Sequence, residues 1–323
     1  MAAKVADALG FEEYYAGLFG PRWPSLREAL SVRGPQVNLR RRYGLDGDYW
    51  LDPASCFLAD LLRGAIGSFD PFDPSAEVWD MCAAPGGKFL SLALSLPQGF
   101  RLRATEVSSA RFTRLRQQAA LLPSAWLAER IALFRGDACK LALRYKTGPL
   151  FAAILLDAPC SSERHVLSQA KARPERLREW RASRSKRNAR NQLALLCGAL
   201  DCLAPGGCLL YATCALSPWE NAEVVARALH KRAFLNMVPC ALQPESYPAW
   251  NCEPQFACVS PTSRKDSVSR NPSVGCKRSV PCNPSVRCEG SVPCEGVHLG
   301  YSILPDRNQG SGPLYFCLLR RPV

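Results

Sequence analysis

The 323-residue sequence predicts an α/β fold: a mostly parallel sheet with helices on both faces and an antiparallel hairpin at its end. Three observations carry the prediction. From residue 78 onward, short apolar segments alternate with longer segments of helical period, the pattern of strand-helix-strand units. The first such segment runs into a Pro-Gly-Gly turn and then a helix, the ligand-binding corner of open α/β sheets. The last two, VHLGYSIL and LYFCLLR, are separated only by DRNQGSG and read as a hairpin.

Residues 1–70 place aromatic and apolar side chains at helical spacing (Phe11, Tyr14, Tyr15, Leu18, Phe19, then Leu26, Ala29, Leu30). They read as a small helical extension, closed by the breaker run FDPFDP at 69–74. The remainder, 71–323, is the sheet domain. Its expected order is VWDM (78–81), a helix from Gly87, LRATEV (102–107), a helix through about Leu121, IALF (131–134) and FAAILLD (151–157). A helix from about Asn188 to Leu203, CLLYAT (208–213), a helix from Pro218 to Arg232 and the hairpin complete it. A low-complexity insertion at about 259–296 interrupts this domain with five tandem hexapeptides built around Ser-Val, the last four ending in Cys276, Cys282, Cys288 and Cys294. Hexapeptide repeats can stack as a solenoid or hold a metal. The Ser, Pro and charge content, with little apolar surface, favours a disordered insertion instead.

An apolar content of 47% is enough for a full core, while a net charge of +13 and a pI near 9.2 point to a polyanionic partner, nucleic acid or an anionic membrane face. No apolar run approaches the ~20 residues that span a bilayer. The longest candidate, QLALLCGALDCLAPGGCLLYATCAL, is broken by Asp201 and by Pro205-Gly206-Gly207. The first residues, MAAKVADALGFEEYY, carry acids and lack the order of a secretory or transit segment. The expectation is a cytoplasmic monomer with no membrane attachment. Sixteen cysteines without an export signal are expected to be reduced. With no Cys-x-x-Cys spacing and three histidines, no metal site is expected.

VWDMCAAPGGKFLSL (78–92) reads as strand, glycine turn and helix, where backbone can approach a nucleotide-like ligand. A phosphate-cradling loop fails on spacing, because Cys82 stands where its first glycine belongs and Phe89 where its Ser or Thr belongs. The next strand ends in Glu106, twenty residues after Gly86, placed to hold ribose hydroxyls; the third ends in Gly136-Asp137, an acid suited to an adenine amino group. This ordered set suggests S-adenosylmethionine.

The fourth strand, FAAILLDAPCSSERH, puts Asp157 and Cys160 at its carboxyl end, and the fifth, LLYATC, adds Cys214. A lone buried cysteine is more often a packing residue. Two at neighbouring strand ends beside a methyl-donor site fit a chemical need. Carbon 5 of cytosine becomes nucleophilic enough for methylation once a thiolate adds at carbon 6. A carboxyl group at ring nitrogen 3 stabilises the adduct, and a base must then take the proton from carbon 5.

In that order and spacing, Asp80-Met-Cys82-Ala-Ala-Pro85-Gly86-Gly87-Lys88, Asp157-Ala-Pro159-Cys160 and Tyr211-Ala-Thr213-Cys214 resemble the Sun (Fmu) family of RNA cytosine-5 methyltransferases. The resemblance covers about 75–235 and resumes in GPLYFCLLRR at 312–321. It implies a Rossmann-like class I methyltransferase fold, Cys214 as nucleophile, Cys160 in proton removal or release, and Asp157 at the base. It further implies a cofactor held by Cys82, Ala83, Ala84, Pro85, Gly86, Gly87, Lys88, Glu106, Arg111, Asp137 and Asp157. GPRWPSL, YWLDPAS and the stretch from Asp157 to His165 resemble the branch with mitochondrial ribosomal-RNA and transfer-RNA enzymes. Three departures bear on substrate fit: no glycine follows Pro159-Cys160-Ser161, Ala215 follows Thr213-Cys214 where Ser is usual, and Glu220-Asn221-Ala222 replaces Glu-Asn-Glu.

Residues 171–190, KARPERLREWRASRSKRNAR, hold nine basic residues against two acids, with Trp180 among them. Alone, such a run is a solvated helix face; beside a base-modifying site it is a candidate RNA contact. Arg40, Arg41 and Arg42 form a shorter candidate, within an amino-terminal extension expected to touch RNA. The leading expectation is an enzyme acting on ribosomal RNA, with a ribosome-assembly partner as a further expectation. Transfer RNA as substrate, a noncatalytic RNA-binding or assembly factor, and methylation of a protein or small molecule are the alternatives.

Overall fold

A computed structural model describes residues 9–67, 77–145, 150–240, 249–257 and 297–323. The expected breaker run at 69–74 and the hexapeptides at 265–294 lie outside the described residues.

The elements in chain order are α1 (Phe11–Phe19), α2 (Trp23–Ser31), β1 (Val37–Asn38), α3 (Leu39–Arg42), β2 (Trp50–Leu51), α4 (Pro53–Ala65), β3 (Glu77–Asp80), α5 (Gly87–Ser95), β4 (Arg101–Glu106), α6 (Ser109–Ala119), α7 (Ser124–Glu129) and β5 (Ile131–Arg135). There follow α8 (Ala138–Tyr145), β6 (Phe151–Asp157), α9 (Glu163–Ala170), α10 (Glu175–Glu179), α11 (Ala182–Asp201), β7 (Leu203–Thr213), α12 (Ala222–Lys231), β8 (Val238–Pro239), β9 (Cys252–Ala257), β10 (Val297–Ile303) and β11 (Leu314–Arg320). The main sheet runs β5-β4-β3-β6-β7-β11-β10-β9, with β8 paired to β11. The strands from β5 to β7 are parallel. From β7 onward the path alternates antiparallel, so the expected hairpin is β10-β11.

Strand alternation sorts the core. Val78, Ala153, Leu155, Leu210, Ala212 and Phe316 face one side with α4, α5 and α6. Trp79, Ile154, Leu156, Leu209, Tyr211 and Tyr315 face the other with α8, α11 and α12. Both faces are covered, as the fold class requires, and each such buried apolar side chain contributes about 1.5–3 kcal/mol.

The amino-terminal elements do not stand apart from the sheet. Asp52 caps α4 by accepting from the Ala54 amide (2.8 Å), Pro53 sits where no amide is needed, and Phe57 meets the Phe316 ring edge-on at 5.4 Å. α1 and α2 bury Phe11, Tyr15, Trp23 and Leu26 against Val166, Leu167, Trp180 and Leu216. Arg22 forks onto Glu253 and Asp306 at 2.6–2.8 Å, tying this end to β9 and the β10-β11 loop.

Three boundaries differ from expectation. α11 starts at Ala182 rather than near Asn188, because Ala182, Ser185, Ala189 and Gln192 form a buried stripe between the arginines. β7 starts at Leu203 and passes through Pro205-Gly206-Gly207 with a register shift against β6, where a Cβ on Gly207 would lie 2.8 Å from the Ala204 carbonyl. The helix expected from Pro218 is a short 3-10 turn, broken at Asn221 (φ −113°, ψ −116°), and then α12.

Candidate active site

Because β3 to β7 are parallel, their carboxyl ends open on one rim, and the chain reverses its path between β3 and β6. In sheet order that rim carries Asp137, Glu106, Asp80, Asp157 and Cys214. The turn after β3 needs its glycine: Gly86 has φ +122°, and a Cβ there would lie 2.7 Å from Cβ of Gln118. Gly86→Ala is expected to cost about 2–3 kcal/mol in urea unfolding.

A cleft of about 320 Å³ opens beside this turn, lined by Met81, Cys82, Glu106, Val107, Arg111, Asp137, Pro159 and Asn191. Four of the residues expected to hold a cofactor, Cys82, Glu106, Arg111 and Asp137, share this wall. Glu106 accepts from the Ser108 amide at 2.7 Å and lies 3.5 Å from Arg111, which also donates to the Ala84 carbonyl. Asp137 accepts from the Cys139 amide at 2.9 Å and so starts α8. Ala83, Ala84, Pro85, Gly86 and Gly87 form the turn itself. Lys88 lines the second cleft described below and pairs there with Asp157.

Sequence reasoning missed Asp80. It ends β3, one residue before the Met81-Cys82 wall, is 1% exposed, and finds the Cys82 amide but no side-chain hydrogen-bond donor among the described residues. Burial, then the charge of Asp157, push its carboxyl up to about 8. A buried acid without a side-chain donor suits a ligand carrying an ammonium group, and Glu106 and Asp137 suit ligand hydroxyl and amino groups. The donor set therefore fits S-adenosylmethionine. Its signal in the sequence was its place, directly before the glycine turn.

The second cleft, about 380 Å³, is lined by Lys88, Cys214, Ser162, Asp52, Arg164 and His165 among others. Lys88 Nζ lies 2.9 Å from Asp157 Oδ2. Burial works against its ammonium, but Asp157 more than offsets this and holds it above the ordinary lysine range. Cys160 Sγ and Cys214 Sγ are 3.1 Å apart, so the structure brings together the two thiols that the sequence singled out. Their acidities diverge. The hydrogen bond from Cys160 lowers the Cys214 pKa against the effect of burial, helped by the Ser162 hydroxyl and Lys88. The same bond, with burial, raises that of Cys160.

The turns carrying these thiols are pinned. Asn221 accepts from the Thr213 hydroxyl at 2.6 Å and donates to the Ala215 carbonyl at 2.9 Å, bracketing Cys214. Ser162 occupies the place where the resemblance leads one to expect glycine, and its φ is +55°, the left-handed region. That backbone costs serine about 1–2 kcal/mol. Ser162→Gly is therefore expected to gain about 1 kcal/mol in denaturant unfolding while slowing alkylation of Cys214.

The basic segment divides between α10 and the first half of α11. Its groove, about 430 Å³, is lined by Arg176, Arg181, Arg184, Arg187 and Asn188 together with Val166 and Gln169 of α9. Asn188 also lines the first cleft, and α9 presents His165 and Ser168, with Ser162 just before it, to the second. Trp180 is buried against Phe11, Tyr14 and Tyr15, so it anchors α1 rather than facing solvent. Among Arg40, Arg41 and Arg42, the first bonds the Asp46 and Leu121 carbonyls and the last pairs with Asp60 at 2.6 Å.

A model of the family described as 16S rRNA methyltransferase RsmB/F matches residues 70–267, more than half of the chain. The chain belongs to this family. Among curated RsmB/F-like relatives, the ribosomal RNA small subunit methyltransferase F of Erwinia tasmaniensis is 36% identical over 189 residues, covering 56% of this chain and 35% of the relative. The tRNA (cytosine(72)-C(5))-methyltransferase NSUN6 of Mus musculus is 32% identical over 198 residues, covering 58% and 39%. The chain thus spans little more than a third of the length of the curated relatives it matches. A methyltransferase homolog from Pyrococcus horikoshii has the same fold, with a TM-score of 0.60 at 19% identity over 95% of this chain and 93% of that one. The Rossmann-like methyltransferase fold expected from the sequence is the one observed. No helix among the described residues is long and apolar enough to cross a membrane.

Proposed function

We propose that this protein transfers a methyl group from S-adenosylmethionine to carbon 5 of a cytosine in RNA, with small-subunit ribosomal RNA the first substrate to test. The observation that carries the reading is the thiol pair, 3.1 Å apart, beside the Lys88–Asp157 ion pair. Bound in the first cleft, the cofactor supplies an electrophilic methyl group. Cys214, as thiolate, adds to carbon 6 of a base in the second cleft and makes carbon 5 nucleophilic. A proton carried between Asp157 and ring nitrogen 3 neutralises the charge that develops there, and Lys88, 2.9 Å from Asp157, stabilises the carboxylate left behind. After transfer, the proton leaves carbon 5 for a water in the cleft, its electron pair re-forms the 5,6 double bond and breaks the carbon–sulfur bond, and the Cys160 thiol assists by hydrogen-bonding to the departing Cys214 thiolate.

The base must be single-stranded or rotated out of its stack to reach this recess. The arginine groove across α9 supports that part of the reading by offering phosphate contacts next to the cleft. The Arg184→Ala, Arg187→Ala double variant is expected to weaken RNA binding and to reduce the slope of log affinity against log salt by about 2, measured by fluorescence anisotropy. The mouse relative's name favours transfer RNA as the second reading. Bisulfite mapping of total RNA from cells with and without the protein decides between them: a cytosine in small-subunit ribosomal RNA that loses its methyl group supports the first, one in transfer RNA the second. Binding of labelled cofactor with no methyl incorporation into either RNA points to a noncatalytic assembly role.

A further inference from the structure

The two thiols are chemically alike and in contact, so a difference between their roles must come from their surroundings. Two buried carboxylates lie behind them. Glu163 is 0% exposed and accepts from three separated segments: the Tyr15 hydroxyl (2.6 Å), the Ser161 hydroxyl, and the Leu216 amide (2.8 Å). It therefore bonds the residue after Cys160 and the residue two beyond Cys214. Glu220, also 0% exposed, receives the Ser161 amide (3.0 Å), Gln192 (2.9 Å) and Asn188 (3.1 Å) on one oxygen, while Gln192 also donates to the Pro159 carbonyl at 2.9 Å. Burial pushes the Glu220 carboxyl up, and the bonds from Ser161 and Gln192 work against that shift.

We propose that Glu163 and Glu220 are positioning residues that decide which thiol ionises, keeping Cys160 protonated and leaving Cys214 as the nucleophile. The inference rests on the reading of Cys214 given under the proposed function. The groups facing Cys160 are Cys214, Glu220, Glu163 and Tyr211, and the Lys88 ammonium reaches both thiols. Those facing Cys214 are Cys160, the Ser162 hydroxyl, Asp157, Lys88 and Arg164. A thiolate at 160 would sit beside the two buried glutamates in a low-dielectric interior, whereas one at 214 is met by the Ser162 hydroxyl as well as by Lys88. Neither glutamate lines the thiol cleft; each is held by the turns it bonds and acts on Cys160 by its charge.

The test is iodoacetamide alkylation of the full-length reduced protein across the neutral to alkaline range, with Cys160 and Cys214 peptides quantified by mass spectrometry. Wild type is expected to alkylate Cys214 first. In Glu220→Gln and Glu163→Gln the midpoint for Cys160 is expected to fall by about one pH unit, shrinking the preference about tenfold. Tyr15→Phe, which removes a bond to Glu163 but keeps the charge, is expected to retain the preference. Folding is checked by thermal melts, and Glu220→Gln carries the test if Glu163→Gln does not fold. An unchanged preference in the folded glutamine variants, or an equal loss in Tyr15→Phe, overturns the proposal. The assay uses neither RNA nor cofactor, so its failure leaves the methyl-transfer reading to be judged separately by methyl incorporation.

Discussion

Cys214→Ala protein is expected to lose methyl incorporation into RNA by about 10³-fold or more, because without a sulfur at this position carbon 5 is never activated. Cys160→Ala is expected to behave differently. It retains the nucleophile but not the group that assists release, so a covalent protein–RNA adduct should accumulate and survive denaturing gel electrophoresis. The thiols lie 3.1 Å apart on neighbouring strand ends, so the two substitutions disturb the same space and differ only in chemistry. Equal loss of activity with no adduct from either variant would contradict the division of labour. The pH dependence has a fixed sign as well. Because the Cys214 thiol is shifted below its ordinary range, the fraction of active thiolate should rise with pH and level off earlier than for an ordinary cysteine.

Asp80→Asn is expected to move stability and cofactor affinity in opposite directions. The folded protein holds this buried carboxyl at about 8 against an ordinary 3.8. Between those values the folded state keeps the proton and the unfolded state does not. The stabilising contribution is whole below about pH 4, declines as pH rises, and is gone above about pH 8. At pH 7 the difference favours unfolding by an upper limit of about 4 kcal/mol. An asparagine of the same shape cannot ionise, so the cofactor-free variant should melt higher than wild type near neutral pH and show a flatter stability profile. It also removes the acid that faces the cofactor's ammonium group in the proposed complex, so affinity for S-adenosylmethionine should fall about tenfold or more, read by isothermal titration. A lower melting temperature with unchanged affinity would remove Asp80 from the site.

The strands of the parallel sheet were legible because their alternating residues are buried on both faces, leaving near-continuous apolar runs between turns. Glu106, Asp137 and Asp157 were legible because each stands where a strand run stops, whereas Asp80 lies inside the run VWDM and was not. What could not be read has specific causes. Pro254 argues against a strand, but β9 is an edge where a missing amide costs little. The start of α11 was hidden because its buried stripe consists of small residues, Ala182, Ser185 and Ala189, set among arginines whose charge dominates the pattern. Trp180 looked like an aromatic among phosphate-binding residues and is in fact the seat of α1. Glu163 and Glu220 gave no sign of their role, since what they hold lies far along the chain: Tyr15 is 148 residues from Glu163 and Ser161 is 59 from Glu220. Ser162 was visible as a missing glycine, but its left-handed backbone was not.

The most direct test of the central claim is to locate the covalent bond. Cys160→Ala protein is incubated with S-adenosylmethionine and total cellular RNA, the adduct is digested with nuclease and protease, and the modified peptide is sequenced by mass spectrometry. A pyrimidine nucleotide attached to Cys214 is the predicted result. Attachment to another cysteine, or methyl transfer by Cys214→Ala protein at the wild-type rate, would contradict it.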